Sequence, residues 1–212
     1  MKKLKILFED KYIIVVYKES GLLTIGNDSI RDNTLYSYVK DYVKKKNKNN
    51  KIFIVHRLDR DTSGLVMFAK SEKIKTILQS NWSNVIRKYY AVVHGRSKKY
   101  SRIESYLKET STLYTYSSSN GLRAITEYYT LKSNNKYSLL DIRIYTGRKN
   151  QIRVHMKDEG LPIVGDRKYG IKDKSHYMML LAYYLEFKHP VTSLDIIINL
   201  ELPDSFNNYF SN

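Results

Sequence analysis

Cysteine is absent from this 212-residue chain, which excludes disulfides, thiolate nucleophiles and thiolate metal sites. The five histidines are scattered. His56, His94, His155, His176 and His189 form no short His-x-x-x-His ligand pair, so no metal centre is expected. Acidic residues are scarce beside basic ones, 21 against 37, for a formal charge of +16. Such an excess on a folded domain answers a polyanion. Long apolar runs are missing too: the basic opening Met1-Lys2-Lys3-Leu4-Lys5 is apolar only as far as Phe8, too short for a signal peptide, and no segment is a membrane span. The cytoplasm is therefore the expected compartment, and the sequons at Asn27-Asp28-Ser29 and Asn81-Trp82-Ser83 read as chance matches. With three prolines and nine glycines, no long flexible linker interrupts the chain, so residues 1–212 are expected to form one domain and to act as a monomer. A single tryptophan contrasts with 20 tyrosines, and aromatic faces among cations suit stacking on bases.

The stretch richest in chemistry is Ile54-Val55-His56-Arg57-Leu58-Asp59-Arg60-Asp61-Thr62-Ser63-Gly64-Leu65. An apolar strand runs into ionisable residues and re-enters an apolar run at Leu65 to Ala69. Asp61 to Gly64 suit a turn, and Leu58, the apolar residue among the charges, is expected to point inward. Asp59 lies between Arg57 and Arg60. A carboxylate so flanked stays ionised and can serve as nucleophile or base without a metal. The same residues also fit a solvated charged hairpin.

Elsewhere the pattern alternates strands with a few helices. Ile6 and Phe8, then Tyr12 to Tyr17, predict a hairpin turning at Glu9-Asp10-Lys11. Asn33 or Thr34 can cap a helix with Leu35, Tyr38, Val39, Tyr42 and Val43 at helical spacing. The basic run Lys44 to Lys51 reads as a solvated loop placed to meet phosphate. Ser71 can cap a second helix whose core face is Ile74, Ile77, Leu78 and Trp82. Arg87 to Gly95, Ala124 to Leu131 and Ser138 to Tyr145 read as strands, whereas Tyr100 to Leu122 reads as a polar surface region with short strands. In Tyr145-Thr146-Gly147-Arg148-Lys149-Asn150-Gln151-Ile152-Arg153, a turn and a helix start set backbone N–H groups beside Arg148 and Lys149, a place for phosphate. Ile152 and Met156 mark the core face, and Gly160 with Pro162 ends the helix.

His-Arg-Leu-Asp-x-Asp-Thr-Ser-Gly-Leu, at His56 to Leu65, resembles the signature loop of the RluA-type pseudouridine synthases. Tyr-x-Ala-x-Val-x-Gly from Tyr89 to Gly95 resembles the second motif of that family, and Gln151-Ile152-Arg153 with the segment to Gly170 the third. Lys18-Glu19-Ser20-Gly21 stands where many relatives have Lys-Pro-x-Gly, and Lys149-Asn150 where they have Thr-His. The resemblance implies a catalytic Asp59, an active-site Tyr89 and an Arg153 that pairs with Asp59. It implies RNA contact by His56, Arg57, Arg148 and Lys149, with Arg57 filling the place of a flipped-out uridine. The expected fold is α+β, a largely antiparallel mixed sheet with a central active-site cleft flanked by few helices. The expected partner is ribosomal or transfer RNA. Two other classes stay open on the residues alone: an RNA-binding module without turnover, and a metal-dependent nuclease built on Asp59 and Asp61.

Overall fold

The computed structural model describes residues 4–26 and 32–211. The sequon at Asn27-Asp28-Ser29 and the basic Met1-Lys2-Lys3 lie outside them. The chain forms two compact units, one of Met1–Val85 with Tyr184–Asn199 and one of Ile86–Tyr183 with Leu200–Asn212.

In the first unit, β1 (Ile6–Glu9) and β2 (Ile13–Lys18) form the expected hairpin. The Asp10 carboxylate closes the turn, accepting from the backbone N–H groups of Tyr12 and Ile13 at 2.7 Å each. Helix α1 (Leu35–Lys46) starts at Thr34, whose hydroxyl accepts from Ser37 N while the Ser37 hydroxyl accepts from Thr34 N. That reciprocal cap satisfies two otherwise orphan donors, and Leu35, Val39 and Val43 form the buried stripe. Strand β3 (Phe53–Ile54) is short, and β4 (Ser63–Ala69) pairs antiparallel with both β2 and β3. Ile13 to Val16 and Leu65 to Ala69 are buried throughout rather than alternately, as strands covered on both faces require.

Helix α2 (Glu72–Ser80) is capped by Ser71 and buries Ile74 and Leu78. Trp82 departs from the expected core face. The helix ends before it, Trp82 opens a 3-10 turn, and its indole stacks on His56 with ring centroids 4.6 Å apart.

In the second unit, β5 (Ile86–His94), β6 (Tyr100–Glu109), β7 (Thr115–Ser117), β8 (Leu122–Ser133) and β9 (Tyr137–Ile144) pair antiparallel in the order β5-β9-β8-β6-β7. The region from Tyr100 is more regular than its composition suggests: β6 is a full strand, bonded to β8 from Tyr100↔Tyr129 to Leu107↔Leu122. Its solvent-side residues are Tyr, Arg, Glu and Lys, so polarity there marks an exposed sheet face and not a loop.

Helix α3 (Gln151–Asp158) is buried from Gln151 to Met156. It ends in a Schellman turn: Gly160, at φ 71°, donates to Lys157 O at 3.0 Å and Leu161 donates to Met156 O at 2.8 Å. Strand β10 (Leu180–Lys188) begins in the second unit and finishes in the first, where Tyr184–Lys188 pair with β11 (Asp195–Asn199). A short helix α4 (Asp204–Asn207) follows in the second unit. The expected α+β class, with antiparallel sheet and few helices, is what the structure shows.

Candidate active site

The signature loop of the first unit is held at several points through its backbone. Thr24, buried, grips Leu58 from both sides: its hydroxyl donates to Leu58 O at 2.9 Å and accepts from Leu58 N at 3.2 Å. Leu58 is buried as expected. Gly21 N–H donates to Arg60 O at 2.9 Å while Arg60 Nε donates to Gly21 O at 3.1 Å. Gly21 sits at φ 81°, a conformation glycine adopts without strain. The Ser20 hydroxyl donates to Asp61 O at 2.7 Å.

From the other side, Gln79 of α2 donates to Ile54 O and Val55 O. His56 Nε2 accepts from Met67 N at 3.0 Å, which puts the ring proton of the neutral imidazole on Nδ1. Between these fixed points Asp59 is half-buried, and Arg57, Arg60 and Asp61 are exposed. Thr62 N donates to Asp59 O at 3.2 Å and closes the turn.

The least expected member of this arrangement is Lys18, the last residue of β2, fully buried at 0% exposure. Its Nζ donates to Leu22 O at 2.7 Å, Arg60 O at 2.8 Å and Glu19 O at 3.1 Å. Burial pulls its pKa down to about 8, against the carboxylates of Asp61 and Asp59, which favour the charged form.

The other motif residues lie in the second unit. Tyr89 is buried on β5, and Tyr90 points to the opposite face of the strand. There Tyr90 stacks on Tyr183 with centroids 3.6 Å apart, and Tyr183 donates to Asp141 at 2.8 Å. Arg153 is buried on α3 and makes a bidentate pair with Asp166, Nε to Oδ2 and Nη2 to Oδ1, both 2.8 Å. Its Nη1 donates to Asn150 Oδ1 at 3.1 Å, and its guanidinium lies over the Tyr169 ring. Burial alone would raise the Asp166 carboxyl, but Arg153 and the backbone N–H groups of Tyr169 and Lys168 outweigh it and hold the pKa below the usual value.

Arg148 and Lys149 precede α3. Arg148 Nε donates to Arg123 O at 2.9 Å, and Lys149 pairs with Glu109. The Gln151 side chain fastens the helix start, accepting from Arg148 N and the Thr146 hydroxyl and donating to Ile125 O and the Thr126 hydroxyl. Because Gln151 takes the Arg148 N–H, that amide is already engaged without a ligand. His155 is buried between Thr126 and Ser105, and burial pulls it down to about 4, so the imidazole is neutral at physiological pH. Thus His56, Arg57 and Asp59 share one loop, and Tyr89 on β5, Arg148 and Lys149 in the turn before α3 and Arg153 on α3 belong to the other unit.

Asp166, Lys18 and Thr24 were not singled out from sequence. The sequence signals for Lys18 are its place at the end of the apolar run from Ile13 and its match to the lysine of Lys-Pro-x-Gly, and neither says that it is buried. Among the described residues no group of three or more His, Cys, Asp or Glu is arranged to hold a metal ion, and no helix is long and apolar enough to cross a membrane.

The pattern of the RNA pseudouridylate synthases matches residues 12–158, a stretch that holds the signature loop, Tyr89 and Arg153. The chain belongs to that family. An uncharacterized RNA pseudouridine synthase of Aquifex aeolicus is 32% identical across 98% of this chain and 72% of its own length. Ribosomal large subunit pseudouridine synthase D of Borreliella burgdorferi is 34% identical across 98% of this chain and 68% of its own. Human RNA pseudouridylate synthase domain containing 4 superposes with a TM-score of 0.80, covering 96% of this chain and 90% of that one, at 22% identity. The last match concerns the fold alone. The enzyme is accordingly an RNA pseudouridine synthase, an isomerase, and the fold expected from its motifs is the fold it has.

Proposed function

We propose that the chain is a single catalytic domain, acting as a monomer in the cytoplasm, that isomerises specific uridines of structured RNA with Asp59 as the catalytic carboxylate. Ribosomal RNA is the favoured substrate and transfer RNA the alternative. The observation that carries the choice is the set of relatives named as ribosomal large subunit pseudouridine synthases C and D, which align along nearly the whole chain.

The reaction breaks the bond between the sugar and N1 of uracil and joins the same sugar carbon to ring carbon 5. Carbon 5 gives up its proton and N1 gains one, so the RNA keeps its length and no electrons are exchanged. A half-buried carboxylate on a loop pinned through its backbone suits work at the sugar–base junction, because attack requires an anion held at one place. Tyr89 would hold the extruded ring or help move the carbon-5 proton, and Arg57, exposed on the same loop as Asp59, would enter the vacated stack. Arg153, whose guanidinium Asp166 holds at two of its nitrogens, would supply the positive charge that the resemblance pairs with Asp59. His56, through Met67 and Trp82, would hold the loop and present its face to RNA, and Arg148 and Lys149 would meet phosphate.

The deciding experiment is a transcriptome-wide pseudouridine map of cells with and without this gene. A uridine modified only when the gene is present names the substrate. RNA products shortened by the purified enzyme would favour the nuclease reading instead.

Phosphate contact by the basic run Lys44 to Lys51, whose first three residues are the last turn of α1 and not loop, is a separate expectation. Lys46 is committed to Glu9 at 3.0 Å and lies over the Tyr42 ring, so Lys44, Lys48 and Lys51, all exposed, are the better probes. Changing these three to Gln should flatten the slope of log affinity against log salt by about 2, since each phosphate neutralised adds roughly 0.7 to 0.9 to it. An unchanged slope takes the segment out of the RNA footprint.

A further inference from the structure

We propose that the sheet of the second unit carries a second RNA-binding surface, on the face turned away from Tyr89, where exposed tyrosine rings and two guanidinium groups take a single-stranded segment of the substrate outside the site of reaction. The proposal rests on the reading that this enzyme acts on a structured RNA.

Strand pairing decides which residues share that face. On β5, Tyr89 points to one side and Lys88 and Tyr90 to the other. The register across β5, β9, β8 and β6 sets Tyr90 level with Asp141, Tyr129 and Tyr100, and Lys88 level with Arg143, Glu127 and Arg102. One row is mainly aromatic, and the next, about 7 Å along the strands, is mainly cationic. Helix α3 lies against the opposite side, because its His155 bonds to Thr126 and Ser105, which alternate along their strands with Glu127 and Glu104. Tyr209 packs on Tyr137 and covers the near face only toward the start of β9.

The face is open where the rings lie. Tyr100 is 42% exposed and Tyr129 54%, with centroids 4.8 Å apart. The wet side of an antiparallel sheet is ordinarily polar, so two large neighbouring rings in water leave apolar area for a ligand to cover. The Tyr100 and Tyr145 hydroxyls both donate to Glu127, which fixes those two rings before anything binds. A ring already held loses little freedom when a base stacks on it.

The charges make the occupant an anion. Arg102 and Arg143 both lie over the Tyr145 ring, 4.9 and 4.7 Å from its centroid. Glu127, between them in the row, is engaged by the tyrosine hydroxyls, and the two arginines act on it through space. Asp141 accepts from Tyr183, and Glu104 pairs with Arg123. Lys98 and Lys99, exposed at the entry to β6, add further positive charge. Bases stack on aromatic faces and guanidinium planes while phosphates meet cations, and a duplex has no free base face to offer, so the fitting occupant is single-stranded RNA.

The experiment uses the full chain and a twenty-nucleotide oligouridylate carrying 4-thiouridine and fluorescein. Irradiation of the complex, followed by mass spectrometry of the peptides, should place crosslinks at Tyr100 or Tyr129. In anisotropy titrations Tyr100→Leu with Tyr129→Leu, which keeps apolar bulk in the strands but removes the rings, should weaken binding by about tenfold or more, and Tyr100→Phe with Tyr129→Phe should restore it. Arg102→Gln with Arg143→Gln should lower the slope of log affinity against log salt by roughly 1. On a transcript of large-subunit ribosomal RNA the loss in the leucine variant should fall on KM. Crosslinks confined to other segments, or leucine and glutamine variants that bind within about twofold of wild type, overturn the proposal. So does a concentration-dependent mass by light scattering that the leucine variant abolishes, since the face then belongs to a second copy. If the leucine variant does not fold, the crosslinks and the glutamine variant decide. A wild type that makes no pseudouridine on the transcript counts against the ribosomal substrate instead, and the crosslinks still decide the surface.

Discussion

Asp59→Asn should abolish pseudouridine formation, lowering the rate by about four orders of magnitude or more, the scale of loss when an enzyme loses its nucleophile. The amide keeps the shape of the carboxylate and its place in the loop. The contacts from Lys18, Thr24, Gly21, Ser20 and Gln79 to backbone atoms of that loop are kept, so the variant should fold and bind RNA as before. Only the negative oxygen is lost. Wild-type melting temperature and RNA affinity with no carbon-linked uridine, read by mass spectrometry of digested RNA, is the expected result. Undiminished accumulation would mean that another group performs the chemistry, whatever the motifs suggest. Arg153→Ala, combined with Asp59→Asn in a double-mutant cycle, then measures how far the two act as one unit.

Asp166→Ala should be strongly destabilising, at about 3–5 kcal/mol, because it removes the carboxylate that the buried Arg153 guanidinium holds at two nitrogens. Asp166 also accepts the backbone N–H groups of Lys168 and Tyr169, so the turn after α3 loses its anchor as well. For a chain of this size the loss corresponds to roughly 10 °C or more in melting temperature. The effect should carry a pH signature. The Asp166 carboxyl is lowered in the folded protein, so its contribution is present above the unfolded value of 3.8 and is lost as pH falls through the folded value. Asp166→Asn should therefore flatten the acid limb of the stability curve. A melting temperature within about 2 °C of wild type for Asp166→Ala would show that the pair carries less than about 1 kcal/mol.

The features legible in the sequence were those whose cause is local. The hairpin at Glu9-Asp10-Lys11 follows from two short apolar runs around an acidic turn, and α1 from a threonine cap ahead of apolar residues at helical spacing. The Schellman turn follows from a glycine placed two residues past the end of α3. Where the reading went astray, the deciding partner lay elsewhere in the chain. Trp82 has core spacing relative to Leu78, but the helix stops before it and His56 supplies the stacking surface. Tyr100 to Glu109 is too polar to announce a strand and becomes one because β8 offers a complete ladder.

By itself the sequence determined the enzyme's family, its α+β class and the residues worth testing, because a motif is a run of neighbours and periodicity is a property of neighbours. Only the tertiary structure decided that Lys18 is buried beneath the signature loop and that Asp166 is the carboxylate fixing Arg153. Both depend on which distant backbone and side-chain atoms fold to within hydrogen-bonding distance, and a charged group's role is set by what replaces its water.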